Sequence, residues 1–358
     1  MTKKCFRFNM TNEYVFKLIA GDEVVSSHDV AKLAGVSQST VSRVLNGSSL
    51  VKPETVEKVE KAMKELQFRP NLVARSLVKN KTNTIALISE HLYNPFYVET
   101  TDKIVNIAAE KGYNVLVYFH FIGDDASLYQ TVLSHRVEGI VMSSILIDDP
   151  IYSELEDLNI PFVTFNRKHR KGGNYIELNN GKAAELAVDH LAALGHRRIA
   201  YIGGPLHAST FYDRHEGYKE AMRRRGLKVL KPWIKMTDTR EESIKAACGD
   251  LIKLRDSERP TAMIAATDAI ALECLDYLHK AGIRVPEQMS LCGMDNIKIS
   301  AHHAIQLTTI GAISAKNMGE LAIERLIAIL EQEEERPMPE RCTLEPILIN
   351  RKTTARIP

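Results

Sequence analysis

A short polar stretch of the chain, residues 37–43, concentrates side chains that can form hydrogen bonds with the edges of nucleic-acid bases. If this stretch is a helix that turns Val41 and Val44 inward, its period turns four polar side chains outward: Gln38, Ser39, Ser42 and Arg43. A glutamine amide can form two hydrogen bonds with adenine, and an arginine guanidinium can form two with guanine. The serine hydroxyls suit less specific contacts, and Thr40 and the helix N-terminal amides suit phosphate. The pattern therefore predicts a surface that reads DNA.

Two predicted helices position this surface. The first begins at Ser26, where Asp29 three residues later completes a capping-box pattern, and it ends at Gly35. Ser37 is the expected N-cap of the second helix, which extends to Leu45, and Ser37 is also a candidate DNA contact. Two helices joined by a tight turn that contains glycine are typical of the helix-turn-helix, whose second helix enters the major groove.

A turn at Asn46-Gly47-Ser48 precedes a third predicted helix, and Asn46 is a further candidate DNA contact. Pro53 suits the first position of this helix. Its apolar face is formed by Val56, Val59, Ala62, Met63 and Leu66. Residues 26–81 contain ten Lys/Arg and five Asp/Glu, a net charge of +5, whereas the whole chain carries only +2. A small basic module on a slightly acidic body indicates an anionic partner.

From Thr84 onward, apolar runs alternate with amphipathic helical stretches. The runs are Ile85–Ser89, Val115–Phe119, Gly139–Ser143, Phe162–Phe165, Ile199–Gly203, Ala262–Ala266 and Ser290–Asp295. Near-continuous apolar strands separated by helices predict parallel sheets that are covered on both faces. About 275 residues of this pattern are too many for one compact core, so we expect two doubly wound α/β lobes behind an all-α head.

Several other classes of protein are disfavoured by the sequence. Gly203-Gly204-Pro205 follows a strand but is not a dinucleotide-binding pattern, and the phosphate-loop, nucleophile-elbow and zinc-protease motifs are absent. The five cysteines have no paired spacing, which fits a reducing cytoplasm better than a zinc site or disulfide framework. No apolar run is long enough for a membrane span, and no secretory signal is evident. We expect no catalytic residue, metal or cofactor, so an enzyme and a secreted binding protein are disfavoured alternatives.

The head resembles that of the LacI/GalR family of bacterial repressors. The matching segments are DVAKLAGVSQSTVSRVLNG (29–47) and VKPETVEKVEKAMKELQFRPNLVARSL (51–77). Further matches are NPFY (94–97), HLAALGHRRIAYIGGP (190–205), the R-x-x-G of Arg214 to Gly217, and GMDN (293–296). Ser27 departs from the pattern because it replaces a usual aliphatic residue, and residues 1–25 are an extension to which we assign no role.

The resemblance implies a periplasmic-binding-protein-like core and a conditional connection to the head. Residues 26–70 would form the helix-turn-helix domain, and residues 71–82 a hinge helix and linker that folds on the operator. Within it, Asn71 and Arg75 would contact DNA and Leu77 would wedge into the minor groove, where an apolar side chain unstacks base steps and kinks the duplex. Residues 83–358 would form the core. Its first lobe would comprise 83–178 with 311–340, and its second lobe 179–310 with 341–358.

Ligands of open α/β sheets bind beyond the carboxyl ends of the strands. That rule alone nominates the residues that follow the predicted strands: Glu90 to Tyr97, Ser143-Ser144, Asn166-Arg167, Thr267-Asp268 and Asp295-Asn296. The resemblance adds that Arg214 and Asp295 are the main effector contacts, since each can bridge two vicinal hydroxyls. Asp268 and Asn166 are secondary candidates, and Asn94, Phe96 and Tyr97 complete the set. The alternative for Arg214, Asp295, Asp268 and Asn166 is that each caps a helix or forms a salt bridge between the lobes.

Three departures leave the effector open. Asn166 stands where many members carry Asp, Glu177-Leu178 replaces a commoner Asp-Asn pair, and the segment GAISAKNMG (311–319) lacks the usual Arg/Lys-Gln. We expect a small polar effector such as a sugar, and the alternative is a nucleoside-like or other non-sugar corepressor. The expected protein is a homodimeric repressor that binds a palindromic operator in the cytoplasm, at the nucleoid when it is bound.

Overall fold

The structure is a computed structural model, and it describes residues 25–45, 50–68, 81–120, 125–331 and 340–357. The chain divides into two compact units, residues 1–82 and residues 83–358. Four predicted DNA contacts, Asn46, Asn71, Arg75 and Leu77, lie outside the described residues, as does nearly all of the N-terminal extension. Among the residues that are described, no helix has the length and apolar character needed to cross a membrane.

The described residues of the first unit form three helices: α1 (Ser27–Ala34), α2 (Gln38–Leu45) and α3 (Pro53–Glu65). They pack around a small apolar core formed by Val30, Ala31, Val41, Val59 and Ala62. The predicted inward face of α2 is confirmed, because Val41 is fully buried and Val44 packs against this core. Its polar residues are thereby turned to the opposite face.

The N-terminus of α1 is fixed by the capping box that the sequence predicts. The Ser26 hydroxyl accepts a hydrogen bond from the Asp29 amide, and the Ser26 amide donates to the Asp29 carboxylate at 2.8 Å. The hydrogen bonds from Ser26 hold the pKa of the Asp29 carboxyl below its usual range. At the other end Gly35 adopts the left-handed conformation, with φ of 64°, that closes the helix.

The second unit contains twelve strands and eight helices within its described residues. In chain order the strands are β1 (Thr84–Ser89), β2 (Asn114–Phe119), β3 (Gly139–Met142), β4 (Phe162–Phe165), β5 (Tyr175–Leu178), β6 (Ile199–Gly203), β7 (Ile234–Met236), β8 (Ala262–Ala265), β9 (Ser290–Met294), β10 (Thr308–Ala312), β11 (Arg341–Leu344) and β12 (Pro346–Ile349). The helices are α4 (Pro95–Glu110), α5 (Asp125–Ser134), α6 (Ile151–Asp157), α7 (Asn180–Ala193), α8 (Ser209–Arg224), α9 (Glu241–Ile252), α10 (Asp268–Lys280) and α11 (Met318–Glu331).

The strands form two six-stranded sheets, one in each lobe. The first sheet has the order β11-β5-β4-β3-β1-β2 and is entirely parallel. The second has the order β12-β10-β9-β8-β6-β7 and is parallel except for the pairing of β10 with β12. Central strands such as β3 and β8 are completely buried. The predicted fold class, a helical head and a core of two doubly wound α/β lobes, is confirmed.

The assignment of the C-terminal residues to lobes differs from the sequence expectation. We expected residues 341–358 in the second lobe, but β11 pairs in parallel with β5 and belongs to the first sheet. The chain returns to the second lobe only at β12. The second lobe also contains all of β10, although we expected the last two residues of this strand in the first lobe. The error arose because β11 and β12 are one extended segment that changes sheets at Glu345.

The chain crosses between the lobes three times, and the crossing segments are hydrogen-bonded to one another. The crossings lie at Asn179, at residues 313–317 and at Glu345. The Asn179 amide donates to the Leu344 carbonyl at 2.9 Å, and the Ile313 amide donates to the Glu345 carbonyl at 2.8 Å. The crossings therefore form a laterally bonded band rather than three separate linkers.

Helices α7 and α8 cross at two glycines. A Cβ atom added at Gly217 of α8 would lie 2.8 Å from the Cα atom of Gly181 of α7, and closer still to its carbonyl oxygen. By contrast, a Cβ atom at Gly181 would meet only the Asp213 carbonyl oxygen, at 3.8 Å. Only position 217 therefore requires a glycine, because a Cβ atom there would overlap backbone atoms of α7, which cannot move aside as a flexible side chain can.

We predict that Gly217→Ala lowers the free energy of unfolding by about 1–3 kcal/mol, the usual cost of overpacking. The measurement is the midpoint of urea-induced unfolding of the full chain. Gly181→Ala is the matched control: it adds the same methyl group at the same crossing without overlap, and alanine is the better helix former. A Gly217→Ala midpoint equal to that of the wild type would contradict this account of the crossing.

Candidate functional site

The outward face of α2 carries the predicted DNA contacts. The side chains of Gln38, Ser39, Ser42 and Arg43 are exposed, whereas Thr40 is half-buried. The Arg43 guanidinium forms no ion pair with any of the described residues. A cation that is exposed and forms no ion pair with the described residues can approach a base edge or a phosphate without first breaking a salt bridge to any of them.

The beginning of α2 is organised by hydroxyl groups. The Ser37 hydroxyl lies 2.8 Å from the Ser39 hydroxyl and 2.8 Å from the Thr40 hydroxyl, and it accepts a hydrogen bond from the Thr40 amide at 3.2 Å. This confirms the expected capping role of Ser37. The adjacent Gln38 donates from Nε2 to the Ser27 hydroxyl on α1, at 2.9 Å. The polar side chains at this helix end are therefore held before any ligand binds.

In the second lobe, Arg214 and Asp295 form a buried ion pair. Arg214 lies on α8, Asp295 follows β9, and Nη2 of the arginine lies 2.8 Å from Oδ1 of the aspartate. Nε of Arg214 donates to Asn180 Oδ1 at 2.8 Å, and Nη1 donates to the Ala266 carbonyl oxygen. Both members of the pair belong to the second lobe, so it is not a bridge between the lobes. The sequence analysis placed both residues in one candidate site, and the structure shows that they are in direct contact.

Burial raises the pKa of the Asp295 carboxyl, and the neighbouring Arg214 opposes this effect. The backbone there is also unusual. Asp295 has φ of 116° and Asn296 has φ of 54°, and Asn166 at the end of β4 has φ of 64°. Residues other than glycine rarely adopt such left-handed backbone conformations. Where they do, the surrounding structure must hold them, and such residues concentrate at ligand-binding sites. These residues follow β4 and β9, at the boundary between the two lobes that we call the cleft, and their backbone conformations are of the kind found at binding sites.

Asn166 connects the two lobes at the cleft. Its Nδ2 donates to the Tyr97 hydroxyl at 3.2 Å, and its carbonyl oxygen accepts a hydrogen bond from the Thr210 hydroxyl of the second lobe. Tyr97 packs edge-to-face against Phe96, with ring centroids 5.3 Å apart, and burial raises the pKa of Tyr97 to about 12. Asn94 Oδ1 accepts from the Phe96 amide and caps α4.

Asp268 lies behind the cleft. Its Oδ1 accepts from the Thr309 hydroxyl at 2.5 Å, and its Oδ2 accepts from the Ser300 hydroxyl at 2.6 Å and the Ile297 amide at 3.1 Å. Burial, together with the charge of Asp295, raises the pKa of Asp268 to about 7. All three donors belong to the second lobe. These contacts favour a structural role in which Asp268 supports the loop that carries Asp295.

Arg167 forms a second buried charge pair in the first lobe. Its Nη1 lies 2.6 Å from Glu90 Oε1 and donates to the Ser144 carbonyl oxygen at 3.1 Å. Nε of Arg167 and the Ser144 hydroxyl are buried, and neither has a hydrogen-bond partner in the described part of the chain. Glu90, Ser144 and Arg167 follow β1, β3 and β4. Polar atoms thus converge at the carboxyl edge of the first sheet, where a polar ligand could satisfy them.

Direct hydrogen bonds join the lobes around the cleft. The Ile147 amide donates to the His207 carbonyl at 3.0 Å, and the Lys168 amide donates to the Ser209 hydroxyl at 2.9 Å. On the other side, the Lys298 amide donates to Glu99 Oε1 at 2.8 Å. The two lobes are therefore in direct contact, and the cleft between them is closed.

A cavity of about 550 Å³ is lined in part by Asn179 of the crossing band and by Asn180, the residue that contacts Arg214. Its lining includes Glu177, one of the departures noted in the sequence. Burial raises the pKa of Glu177, and Lys168 Nζ lies 2.7 Å from its Oε1. Within the described ranges, no cluster of His, Cys, Asp and Glu side chains could hold a metal ion.

Sequence reasoning missed two residues that organise the cleft, Asn180 and Thr210. Both stand in the first turn of a helix that follows a strand, at the starts of α7 and α8. The strand-end rule could have nominated them if it had been extended to the second residue of each following helix. Asn180 is 2 % exposed and orients Arg214, and Thr210 is 3 % exposed and contacts Asn166.

Comparisons with known proteins agree with this architecture. Residues 27–71 match the family model described as bacterial regulatory proteins, lacI family, and residues 188–354 match that of a periplasmic binding protein-like domain. The chain is 33% identical, over 91% of its length and 96% of the relative, to the HTH-type transcriptional repressor PurR of Serratia proteamaculans (strain 568). It is 30% identical, over 90% and 96%, to the HTH-type transcriptional regulator CelR of Thermobifida fusca.

Solved structures of similar transcriptional regulators also superimpose on this chain. A lac repressor dimer bound to operator and the anti-inducer ONPF superimposes with a TM-score of 0.80 and 29% identity, covering 93% of this chain and 100% of that one. A complex of the regulator CelR with cellobiose superimposes with a TM-score of 0.67 and 28% identity, covering 92% and 99%. With a helix-turn-helix head, a two-lobed core and similarity along nearly its whole length, this chain belongs to the LacI family of bacterial transcriptional regulators, which bind DNA and small-molecule effectors.

Proposed function

We propose that this protein is a repressor that binds a palindromic operator as a homodimer and is controlled by a small polar effector, a sugar or sugar derivative. The observation that carries the proposal is the buried Arg214–Asp295 pair at the carboxyl edge of the second sheet. A guanidinium and a carboxylate side by side offer donors and acceptors to the vicinal hydroxyls of a sugar. Arg167 Nε and the Ser144 hydroxyl supply further hydrogen-bonding atoms in the first lobe.

The proposed control follows from the closed cleft. An effector that binds between the lobes must change the hydrogen bonds that join them, and so it favours one lobe arrangement over another. Such a ligand changes DNA affinity only by its difference in affinity for the two arrangements, typically about 1–3 kcal/mol. We propose release from the operator as the direction of the response.

A nucleoside-like or other non-sugar corepressor is the second candidate. The edge-to-face pair of Phe96 and Tyr97 favours it, because an aromatic wall suits a flat ring. Asn166 also favours it, because an amide, unlike a carboxylate, can both donate to and accept from a heterocycle. The relatives do not decide between the candidates, although one structure contains cellobiose.

We predict a dimer in solution, because each chain has one reading head and a palindromic site needs two. Size-exclusion chromatography with light scattering at micromolar protein should give about twice the 40.2 kDa mass of the chain. A monomer at that concentration, with operator binding still saturating at one chain per site, would refute the homodimer.

We predict that Arg43→Ala weakens specific operator binding by about 1–3 kcal/mol and relaxes the base preference at one position. The measurement is selection of binding sites from a random DNA pool, followed by titration of the best site. Arg240→Ala is the matched control, since it removes the same charge from a side chain that is 78% exposed on the core. An Arg43→Ala site preference identical to that of the wild type would exclude this register of α2.

We predict that Asp295→Asn preserves operator binding but raises the effector concentration needed for the response by about 10- to 100-fold, the value of a hydrogen bond to a charged group. The effector is first identified by a thermal-shift screen of sugars, sugar phosphates and nucleosides, in which a ligand raises the melting temperature by mass action. The amide removes the charge but keeps an oxygen that accepts from Arg214, whereas alanine would remove the hydrogen bond as well.

Asp148→Asn is the control for the cleft variant, because its carboxylate is 67% exposed and pairs only with Arg170 among the described residues. It should respond like the wild type. A normal effector response from Asp295→Asn would remove Asp295 from the binding site.

A further inference from the structure

The first residues of α1 and α2 are joined by one side-chain hydrogen bond. Gln38 Nε2 donates to the Ser27 hydroxyl at 2.9 Å. Gln38 is exposed on the face proposed to read DNA, and Ser27 is half-buried beside it. Ser27 is also the position at which the head departs from the family pattern by replacing an aliphatic residue, which could not accept this bond.

The local structure holds the Ser27 hydroxyl in place. Ser27 is the first residue of α1, directly after the capping box formed by Ser26 and Asp29. Both reciprocal bonds of the box are present, and the Ser26 hydroxyl also donates to the Asp29 carboxylate at 2.6 Å. The bond from Gln38 therefore ends on a fixed point and not on a flexible loop.

Ser39 and Thr40, the other polar residues at the start of α2, contact the N-cap residue of the same helix, Ser37. The hydroxyls of Ser39 and Thr40 both lie 2.8 Å from that of Ser37. Gln38 differs because its long side chain is held by a different helix. A free glutamine side chain loses about 1.5–2 kcal/mol of rotamer entropy when it is fixed. A partner that fixes it beforehand removes part of this cost from the binding step.

The bond leaves the groups that adenine requires. A carboxamide has two N–H donors and one carbonyl acceptor. With one N–H donated to Ser27, the second N–H and Oε1 remain, and they match N7 and the N6 amino group of adenine. We propose that Ser27 is a specificity-determining positioning residue, which holds the Gln38 carboxamide for adenine readout at one operator position. This inference rests on the proposed DNA-reading function of α2.

The test compares full-length variants by site selection and by titration of operators that differ at one base pair. The position read by Gln38 is the one whose preference disappears in Gln38→Ala. At that position Ser27→Ala should lower the preference for adenine by about 2- to 10-fold, the usual effect of losing one pre-ordered side chain. Preferences at the other positions should stay as in the wild type.

A shape-matched pair separates the hydroxyl from packing. Ser27→Thr keeps the hydroxyl and should retain the discrimination, whereas Ser27→Val has the same shape without the hydroxyl and should lose it. In the Gln38→Ala background, Ser27→Ala should have no further effect, because a positioning residue acts only through its partner. Thermal melting of each variant checks that the head remains folded.

Three results would overturn the inference. One is unchanged discrimination in Ser27→Ala, and another is an equal loss in the Gln38→Ala background, which would mean that Ser27 contacts DNA itself. The third is a base other than adenine at the position of Gln38. These results differ from failure of the proposed function, in which the wild-type chain itself would select no DNA sequence.

Discussion

The buried guanidinium of Arg214 is the constraint on which the core depends. A charge removed from water must be paired and hydrogen-bonded, or the protein loses several kcal/mol. Arg214 meets this requirement with Asn180 at the start of α7, the Ala266 carbonyl after β8, and Asp295 after β9. One side chain on α8 thereby fixes the relative positions of three other elements. The left-handed backbone at Asp295 is held by the same contacts.

The same requirement determines what a ligand must do. Arg214 and Asp295 already satisfy each other, so a ligand must offer bonds at least as good as the internal ones. Asp268 supports this arrangement from behind, through Ser300 and Thr309. We propose that the cleft is organised in layers, in which Arg214 and Asp295 exchange partners with the effector and Asp268, whose described contacts are internal, supports them. Asp268 was nominated because it follows a strand. We assign it to the supporting layer because it is buried and its described hydrogen bonds are all to the protein itself.

The sequence predicted the fold where apolar runs were long and continuous. All seven predicted strands are present, and their bounds differ by at most one residue. Strands β5, β7, β10, β11 and β12 were not predicted, because they are three to five residues long and depend on partners far away in the chain, as β11 depends on β5. All of them except β12 also contain polar residues. Asp295 was nominated by the strand-end rule and Arg214 through the resemblance, whereas Asn180 and Thr210 were missed, since their positions depend on the packing of whole helices.

The three hydrogen-bonded crossings between the lobes restrict how the core can move. Three parallel segments tied side to side resist twisting and sliding much more than a single linker would. They still allow bending about an axis in the plane of the band. Once the other hydrogen bonds between the lobes are broken, bending, which changes the opening angle, is therefore expected to be the softest motion that the band allows. Ligands of different size and chemistry would all be translated into values of that one angle, so a change of effector specificity in the cleft would need no redesign of the mechanical output.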